Sequence, residues 1–325
     1  MLRNPVMKIL ILLLVSLGLF IFLHTYRPPA ENLLWRSITN TGHVPLFGLL
    51  SLIFLGLSSL LLKKWIRRRL SHYLTALAAV FISGLGSEAV QMVGPRDADL
   101  GDLLLDLAGA FIFLGFYATY DRQLKGFWEG LRSGAYRIIL RTVTAVLFAA
   151  LISPPVIWSI AYIDRSNKFP VICDFESYWD RMFLSAQEAD LEVVAAPEGM
   201  GNLGGDRVGR ITFNPGKYPG LEVIEPYPDW RGHEYLRFEV FSELDSLVNL
   251  ALVIKDAHHN SEYYDRFNRR LVIRPGSNLI EIPLEEVRDA PRNRRTDMRN
   301  IASVQVFMYD ISREYVLYLD NFAVR

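Results

Sequence analysis

Five long apolar runs fill the first half of this 325-residue chain, and they limit its possible folds more than any other feature. A bilayer core about 30 Å thick requires roughly 20 apolar residues per spanning helix. The runs cover approximately residues 6–23, 44–62, 73–93, 100–120 and 138–162. We therefore predict an all-α polytopic membrane domain of about five transmembrane helices over residues 1–163.

The first run has an alternative reading as a cleavable signal peptide, because Arg3 and Lys8 lie at its beginning. A signal peptide ends at a site of small residues, whereas the segment that follows here, HTYRPPAENL, is bulky and Pro-rich. We expect the first helix to remain uncleaved.

The basic residues between the runs predict the orientation. The segment KKWIRRR (63–69) and the connection 121–137 are rich in Lys and Arg, and the two other connections are poor in them. Because cytoplasmic loops carry the excess of Lys and Arg, we expect a cytoplasmic N-terminus. Residues 164–325 would then lie outside the membrane. We also expect Pro154 and Pro155 to break or kink the fifth helix.

Charge and cysteine content exclude several classes of function. The chain has 35 basic and 35 acidic residues, and the basic residues of its first half lie beside the apolar runs, so nothing supports binding of nucleic acid. The single cysteine, Cys173, excludes an intrachain disulfide and a cysteine-based metal cluster.

The stretch GSEAVQMVGPRDADLGDLLLDLAG (86–109) places acidic residues in and between two apolar runs. At 100° per residue, Asp99, Asp102 and Asp106 lie on one face of a helix. Glu88 and Gln91 share a face of the preceding helix, and a tight external turn brings the two faces together. We expect His43, at the beginning of the second run, to lie at the same level. The candidate catalytic residues are His43, Glu88, Gln91, Arg96, Asp99, Asp102 and Asp106.

A structural explanation applies to some of these residues. Asp99 is a good N-cap, and a helix dipole favours acidic residues in the first turn. Glu88 and Asp106 lie deeper, where an ionised carboxylate costs roughly 2.5–3.5 kcal/mol on insertion scales. A polar network with Arg96 or His43 is one explanation for them. A functional site is the other, and the one we favour.

This stretch, together with NTGHVPLFGLL (40–50), resembles the VanZ-like family of small bacterial membrane proteins over about residues 5–120. The matching positions are His43, Glu88, Gln91, Arg96, Asp99, Asp102 and Gly109; the chain departs from the pattern at Asp106, where the family has Asn. The resemblance implies a role in the bacterial cell envelope, with an association to glycopeptide antibiotic resistance. It implies a multi-pass protein of the bacterial inner membrane.

Two chemistries fit these residues. A His with several carboxylates suits a divalent cation. The same groups suit general acid–base catalysis on a phosphate or sugar headgroup, with Arg96 pairing an anionic oxygen. The spacing does not decide between them, nor whether the protein is an enzyme.

The second half, residues 164–325, shows the pattern of an all-β sandwich. Short alternating runs such as LRFEVF (236–241), VNLALVI (248–254) and SVQVFMYD (303–310) are separated by turn residues at regular intervals. RPGSN (274–278) is a hairpin signal between two further runs. We predict an extracytoplasmic β-sandwich of the jelly-roll type.

This half resembles the galactose-binding-like jelly rolls of carbohydrate-binding modules, through CDFES (173–177), IKDAHHNSEYYDRF (254–267), PGSNLIEIPL (275–284) and YLDNFAV (318–324). The resemblance implies a structural calcium ion held by Asp174, Glu176 and Asp320; strand capping is the alternative role for these residues. It also implies envelope carbohydrate as a partner. Aromatic rings stack on sugars, and the candidate ligand-binding residues are His258, His259, Tyr263, Tyr264 and Phe267, with packing against the sandwich as the alternative.

Our leading hypothesis is a bacterial cell-envelope membrane protein that engages or modifies a lipid or lipid-linked glycan headgroup at the outer leaflet, with an outer glycan-binding domain. The alternative is a non-enzymatic, membrane-tethered glycan-binding or scaffold protein. A transporter is a weaker third option, since the ionisable residues cluster on one side of the membrane domain and do not form a path across it.

Overall fold

The computed structural model describes residues 4–93, 99–131, 134–201 and 205–325. The chain divides into two compact units, Met1–Ser159 and Ile160–Arg325. The division falls within the fifth apolar helix, slightly before the boundary that the sequence predicts. The first unit is helical and the second is built of β-strands, which confirms the predicted order of the two fold classes.

Five helices in the described part of the chain are long and apolar enough to cross a membrane. Two short helices accompany them. The helices are α1 (Pro5–Thr25), α2 (Leu33–Leu61), α3 (Arg69–Val93), α4 (Leu100–Ala118), α5 (Lys125–Gly130), α6 (Ala135–Lys168) and α7 (Leu284–Arg288). The second helix begins well before the predicted position, because the side chain of Asn32 caps it by accepting a hydrogen bond from the backbone N–H of Trp35.

Helices α2, α3 and α4 form the packed centre of the helical unit. Phe47 and Leu50 of α2, Val80 of α3 and Ala110 of α4 are buried together. Gly109 lets α2 and α4 approach closely, since a Cβ atom there would overlap the backbone carbonyl oxygen of α2. This contact explains why a small residue is needed at position 109.

Helix α6 continues through Pro154 and Pro155, so the chain does not break there, and the alternative expectation of a kink stays a prediction. Pro154 has no N–H for the carbonyl of Ala150, four residues earlier. The hydroxyl of Ser153 donates to that carbonyl instead, at 2.8 Å. A side-chain donor of this kind is one way in which an apolar helix tolerates proline.

The second unit contains eleven strands in the residues that the structure describes. They are β1 (Val171–Cys173), β2 (Leu184–Gln187), β3 (Ala189–Ala195), β4 (Arg207–Phe213), β5 (Gly220–Ile224), β6 (Tyr235–Ser242), β7 (Val248–Asp256), β8 (Phe267–Ile273), β9 (Gly276–Pro283), β10 (Ile301–Phe307) and β11 (Tyr315–Val324). One sheet has the order β3-β4-β11-β6-β9, with β1 also paired to β11; the other has the order β2-β5-β10-β7-β8. All pairings between these strands are antiparallel.

The two sheets enclose one hydrophobic core. Trp230, Phe213 and Leu252 are fully buried in it, and the rings of Phe238 and Phe322 stack with their centroids 4.6 Å apart. The alternation of apolar residues along each strand supplies this core, as the sequence pattern predicts.

The turn RPGSN is not a hairpin between paired strands. Strand β8 pairs with β7 in one sheet, whereas β9 pairs with β6 in the other, so the turn carries the chain between sheets. Gly276 takes the left-handed conformation at a φ of 80°. The side-chain amide of Asn278 closes the turn by donating to the carbonyls of Arg274 and Gly276.

Candidate functional site

His43 lies in the interior of α2, about three turns from its beginning. The expectation that this residue opens a helix is therefore wrong. Its side chain is buried among α2, α3 and α4, and its ring stacks on that of Phe47, one turn further along, at 6.1 Å. The imidazole is thus held in one orientation by its own helix.

Helix α4 supplies two carboxylates to this imidazole. His43 Nδ1 lies 2.8 Å from Asp106 Oδ1, and His43 Nε2 lies 3.7 Å from Asp102 Oδ2. Asp106 is fully buried, and Gly84 of α3 makes room for its Oδ2 oxygen, which has no hydrogen-bond partner among the described residues. An imidazole oriented by a buried carboxylate on one nitrogen presents its other nitrogen for proton transfer.

Helix α3 brings Glu88 and Gln91 to the same region, and both side chains are buried. Glu88 Oε2 accepts a hydrogen bond from the backbone N–H of Asp99 at 2.8 Å. Asp99 caps α4 by accepting from the N–H of Gly101, which is the structural role that the sequence allows for it. Arg96 lies outside the described residues.

A pocket of about 430 Å³ opens beside His43. Its lining combines the apolar side chains of Phe22 and Leu23 from α1 with the polar side chains of Gln91 and Asp102. A pocket of this composition fits an amphiphilic ligand whose polar end meets the imidazole. No group of three or more His, Cys, Asp or Glu side chains in the described parts of the chain is arranged to hold a metal ion. Acid–base chemistry and cation binding both stay predictions.

We call the second unit, Ile160–Arg325, the outer unit, because the sequence predicts that it lies outside the membrane. Its predicted sugar-binding residues lie in two different environments. Tyr263 and Tyr264 are exposed, and the guanidinium of Arg292 lies over the Tyr264 ring at 3.3 Å. His258 is also exposed, whereas the His259 side chain is mostly buried beside Asp265. The assignment of Phe267 as a sugar-binding residue is corrected by the structure. Phe267 begins strand β8 and packs in the core at 4% exposure, so its ring cannot contact a sugar.

The predicted calcium ligands Asp174 and Glu176 lie close enough to act electrostatically on Asp320, which belongs to β11, the middle strand of its sheet. Burial raises the pKa of Asp320 to about 7, although the hydrogen bond from the Asn321 N–H lowers it. The negative charges of Asp174, Glu239 and Glu176 raise this pKa further. Asp320 and Glu239 are cross-strand neighbours, and each has one buried oxygen without a hydrogen-bond partner among the described residues.

These carboxylates suit a cation electrostatically, because like charges directly opposite one another destabilise a sheet. Asp174, however, accepts a hydrogen bond from the Lys168 ammonium at 2.6 Å, and Glu176 accepts from the N–H of Arg207. With no metal-holding group formed among the described residues, the calcium site stays a prediction.

Sequence reasoning missed a second candidate ligand surface, on the outer face of the sheet that contains β7 and β10. A cavity of about 490 Å³ there is lined by Asn249, Arg270, Phe307 and Tyr309. Arg270 donates from Nε to Asn249 Oδ1 at 3.0 Å, and the Tyr218 ring contacts both aromatic rings. Period-two alternation places Asn249 and Arg270 on outward positions, but only the strand register makes them neighbours.

No protein-family model and no curated protein matches this chain. The resemblance of the first half to the VanZ-like family therefore stays a prediction.

The outer unit is similar to solved carbohydrate-binding modules. A family 11 carbohydrate-binding module from Clostridium thermocellum, solved with a β-1,3-1,4-mixed-linked tetrasaccharide, is 15% identical over 47% of this chain and 93% of that chain, with a TM-score of 0.38. A family 30 module of a cellulosomal cellulase from the same organism is 10% identical over 44% and 90%, with a TM-score of 0.33. An exo-β-agarase is 15% identical over 48% of this chain and 25% of that chain, with a TM-score of 0.40.

Proposed function

We propose that this protein is a multi-pass protein of the bacterial inner membrane that binds, and acts on, the headgroup of a lipid or lipid-linked glycan at the outer leaflet. His43, oriented by Asp106, would serve as the general base or acid, and Asp102 would hold the polar part of the ligand. The observation that carries this proposal is the buried Asp106–His43 pair at the wall of a half-apolar pocket.

The energetic cost of these groups supports a functional role. Each buried polar group without a partner costs about 1–3 kcal/mol, and Glu88 Oε1 and Asp106 Oδ2 both lack one among the described residues. A helix cap explains only Asp99. Groups kept at such a cost inside an apolar domain usually mark a binding site or a pathway.

The lipid that stays bound to the purified protein tests ligand binding at the His43 pocket. The full chain, purified in detergent and incubated with a total bacterial lipid extract, is expected to retain a lipid species in native mass spectrometry. The Asp102→Asn variant should lose that species, because the carboxylate nearest His43 Nε2 is neutralised. Glu192→Gln, which removes an exposed carboxylate from β3, should retain it and serves as the control.

The proposed orientation has a separate test in intact cells. In a Cys173→Ala background, Asn40→Cys places a thiol at the pocket beside His43, and Trp65→Cys places one in the exposed loop between α2 and α3. A membrane-impermeant thiol reagent should label the first from outside and the second only after the membrane is opened. The reverse result would contradict the orientation.

We propose that the outer unit binds envelope glycan through the cavity lined by Arg270 and Tyr309. An exposed aromatic ring beside a hydrogen-bonded Arg–Asn pair is suited to a sugar, whose faces are apolar and whose edges carry hydroxyls. Titration with β-glucan and peptidoglycan fragments should show binding that Tyr309→Ala weakens by about tenfold or more. Tyr178→Ala removes a similarly exposed tyrosine from the segment between β1 and β2 and should leave this affinity unchanged.

The same cavity favours one alternative function, a membrane-tethered glycan-binding scaffold without catalysis. In that case His43→Gln and Asp106→Asn would leave the protein's cellular function intact, and Tyr309→Ala would abolish it. The acid–base proposal predicts that His43→Gln abolishes function while expression is maintained.

A further inference from the structure

A second cavity lies at the opposite end of the helical unit from the His43 pocket. It has a volume of about 750 Å³ and is enclosed by the end of α4, by α5 and by the beginning of α6. Arg122, Lys125 and Arg137 line it together with Trp128. We call it the basal pocket, and we propose that it binds the phosphate group of an acidic phospholipid.

The charges in the basal pocket leave a net positive field. Arg122 and Arg137 make no ion pair with a carboxylate in the described residues, and Lys125 pairs only with Glu129, at 3.5 Å, where both side chains are largely exposed. An exposed pair of this kind contributes little and is easily exchanged for another anion.

The remaining acidic residue of the basal pocket, Asp121, is already committed to other partners. Asp121 Oδ2 accepts hydrogen bonds from Arg69 Nε at 2.6 Å and from the Tyr73 hydroxyl at 2.8 Å, and its Oδ1 accepts from the N–H of Gln123. Although burial opposes it, these hydrogen bonds hold the pKa of Asp121 below its ordinary value. Its charge therefore neutralises Arg69 and leaves Arg122 and Arg137 without a carboxylate partner among the described residues.

Aromatic rings hold the guanidinium groups in place around the cavity. Trp128 donates from Nε1 to the carbonyl of Ala118, which fixes the ring, and the Arg137 guanidinium lies 5.6 Å from the ring centroid. Arg141 lies 4.0 Å from the centroid of Tyr120, which also lines the cavity. Guanidinium groups held in this way are suited to a phosphate group, because two of its oxygens can accept parallel hydrogen bonds from one guanidinium.

The surroundings of the basal pocket favour a lipid as the source of the phosphate. Exposed aromatic side chains surround this end of the helices, at Trp65, Tyr120, Phe127 and Tyr136. Rings at this level, with apolar helices on one side and basic loops on the other, are typical of a membrane interface. This inference rests on the membrane-spanning role proposed above.

Calorimetric titration of the full chain in a neutral detergent tests the proposal. The probes are short-chain phosphatidylglycerol and phosphatidylcholine, which differ in net charge, and inorganic phosphate as a competitor. Wild-type protein should bind phosphatidylglycerol at least tenfold more tightly than phosphatidylcholine. The double variant Arg122→Gln/Arg137→Gln should lose about thirtyfold in affinity for phosphatidylglycerol, at roughly fivefold per basic residue.

The matched control is Arg67→Gln/Arg68→Gln, which removes the same charge from the exposed loop before α3 and should change the affinity by less than about threefold. Equal losses in both double variants would overturn the proposal and indicate general electrostatic attraction. A wild-type protein without preference for phosphatidylglycerol would also overturn it. Competition by inorganic phosphate with the same dependence on Arg122 and Arg137 would support the pocket and show that the phosphate group alone is recognised.

Failure of this proposal is distinguishable from failure of the proposed function. The Asp102→Asn variant should retain the affinity for short-chain phosphatidylglycerol, because its side chain lies at the other end of α4.

Discussion

Arg294 joins two acidic residues of the outer unit, and its replacement gives a sharp test of what stabilises the candidate sugar-binding loop. Arg294 Nη1 and Nη2 donate to the two oxygens of Asp256, at 2.5 and 2.8 Å, and Nε and Nη2 donate to those of Asp265, at 2.6 and 2.9 Å. Asp256 ends strand β7, and Asp265 lies in the loop that carries Tyr263 and Tyr264.

The expected cost of Arg294→Gln follows from the burial of the carboxylates. The Asp256 side chain has no exposure, so its charge is left inside the protein without an ionic partner. Breaking a buried pair costs about 3–5 kcal/mol. Because the Arg294 side chain is itself 27% exposed, water replaces part of what is lost. We expect the outer unit to lose about 3 kcal/mol at pH 7.

The buried thiol of Cys173 reports unfolding of the outer unit within the full chain. Denaturant unfolding followed by the reactivity of this thiol would give the stability of each variant, with the fully denatured protein as reference at each pH. The neighbouring Arg295 is the matched control, since it pairs with Asp289 at 3.2 Å with 75% of its side chain exposed. Arg295→Gln should cost less than about 1 kcal/mol.

The pH dependence follows from the same contacts. Although burial opposes it, Arg294 holds the pKa of Asp256 below its ordinary value of 3.8. The pair therefore stabilises the fold above about pH 4, and this stabilisation is lost as the pH falls through the lower, folded value. In Arg294→Gln the acid-induced loss should shrink. Equal stabilities of Arg294→Gln and Arg295→Gln at pH 7, or unchanged acid sensitivity, would refute the reasoning.

Three further outcomes are expected. In a thermal unfolding assay, Gly109→Ala should destabilise the helical unit by about 2 kcal/mol or more, because the added methyl group overlaps the α2 backbone. Gly86→Ala places its methyl group in open space and should leave the stability unchanged. Phe267→Ala should lower the stability of the outer unit by about 3–5 kcal/mol, because it removes a core side chain, whereas Tyr263→Ala should lower it little. Similar losses of stability in both variants would contradict the burial of Phe267. Millimolar calcium should slow modification of the buried thiol in the wild-type protein and not in Asp320→Asn; no calcium effect in the wild type would exclude the predicted ion.

The architecture was predictable because it depends on local patterns. Long apolar runs require helices, and alternating runs between turn residues require strands, whatever lies next to them. The start of α2 was misplaced because the signal is a single capping side chain, Asn32, ahead of a segment whose hydropathy is only moderate. The turn at Gly276 was misread because turn chemistry does not show whether the flanking strands belong to one sheet or two.

The sequence predicts which helix faces carry the candidate site, but not the contacts between their side chains. Spacing places Asp102 and Asp106 on one helix face. It does not show that Asp106 contacts Nδ1 of His43 while Asp102 lies near Nε2. Phe267 was assigned to a loop from its neighbours, and only the pairing of β8 with β7 places it in the core. The cavity beside Tyr309 depends on strand register and had no local signal.

A density map of the full chain in bilayer nanodiscs made with bacterial lipid would test the central claim most directly. The account predicts a bound molecule in the pocket beside His43, with its polar end between Nε2 and Asp102 and an apolar chain along Phe22 and Leu23 of α1. A pocket closed by side chains that satisfy one another, or one that faces acyl chains alone, would contradict it.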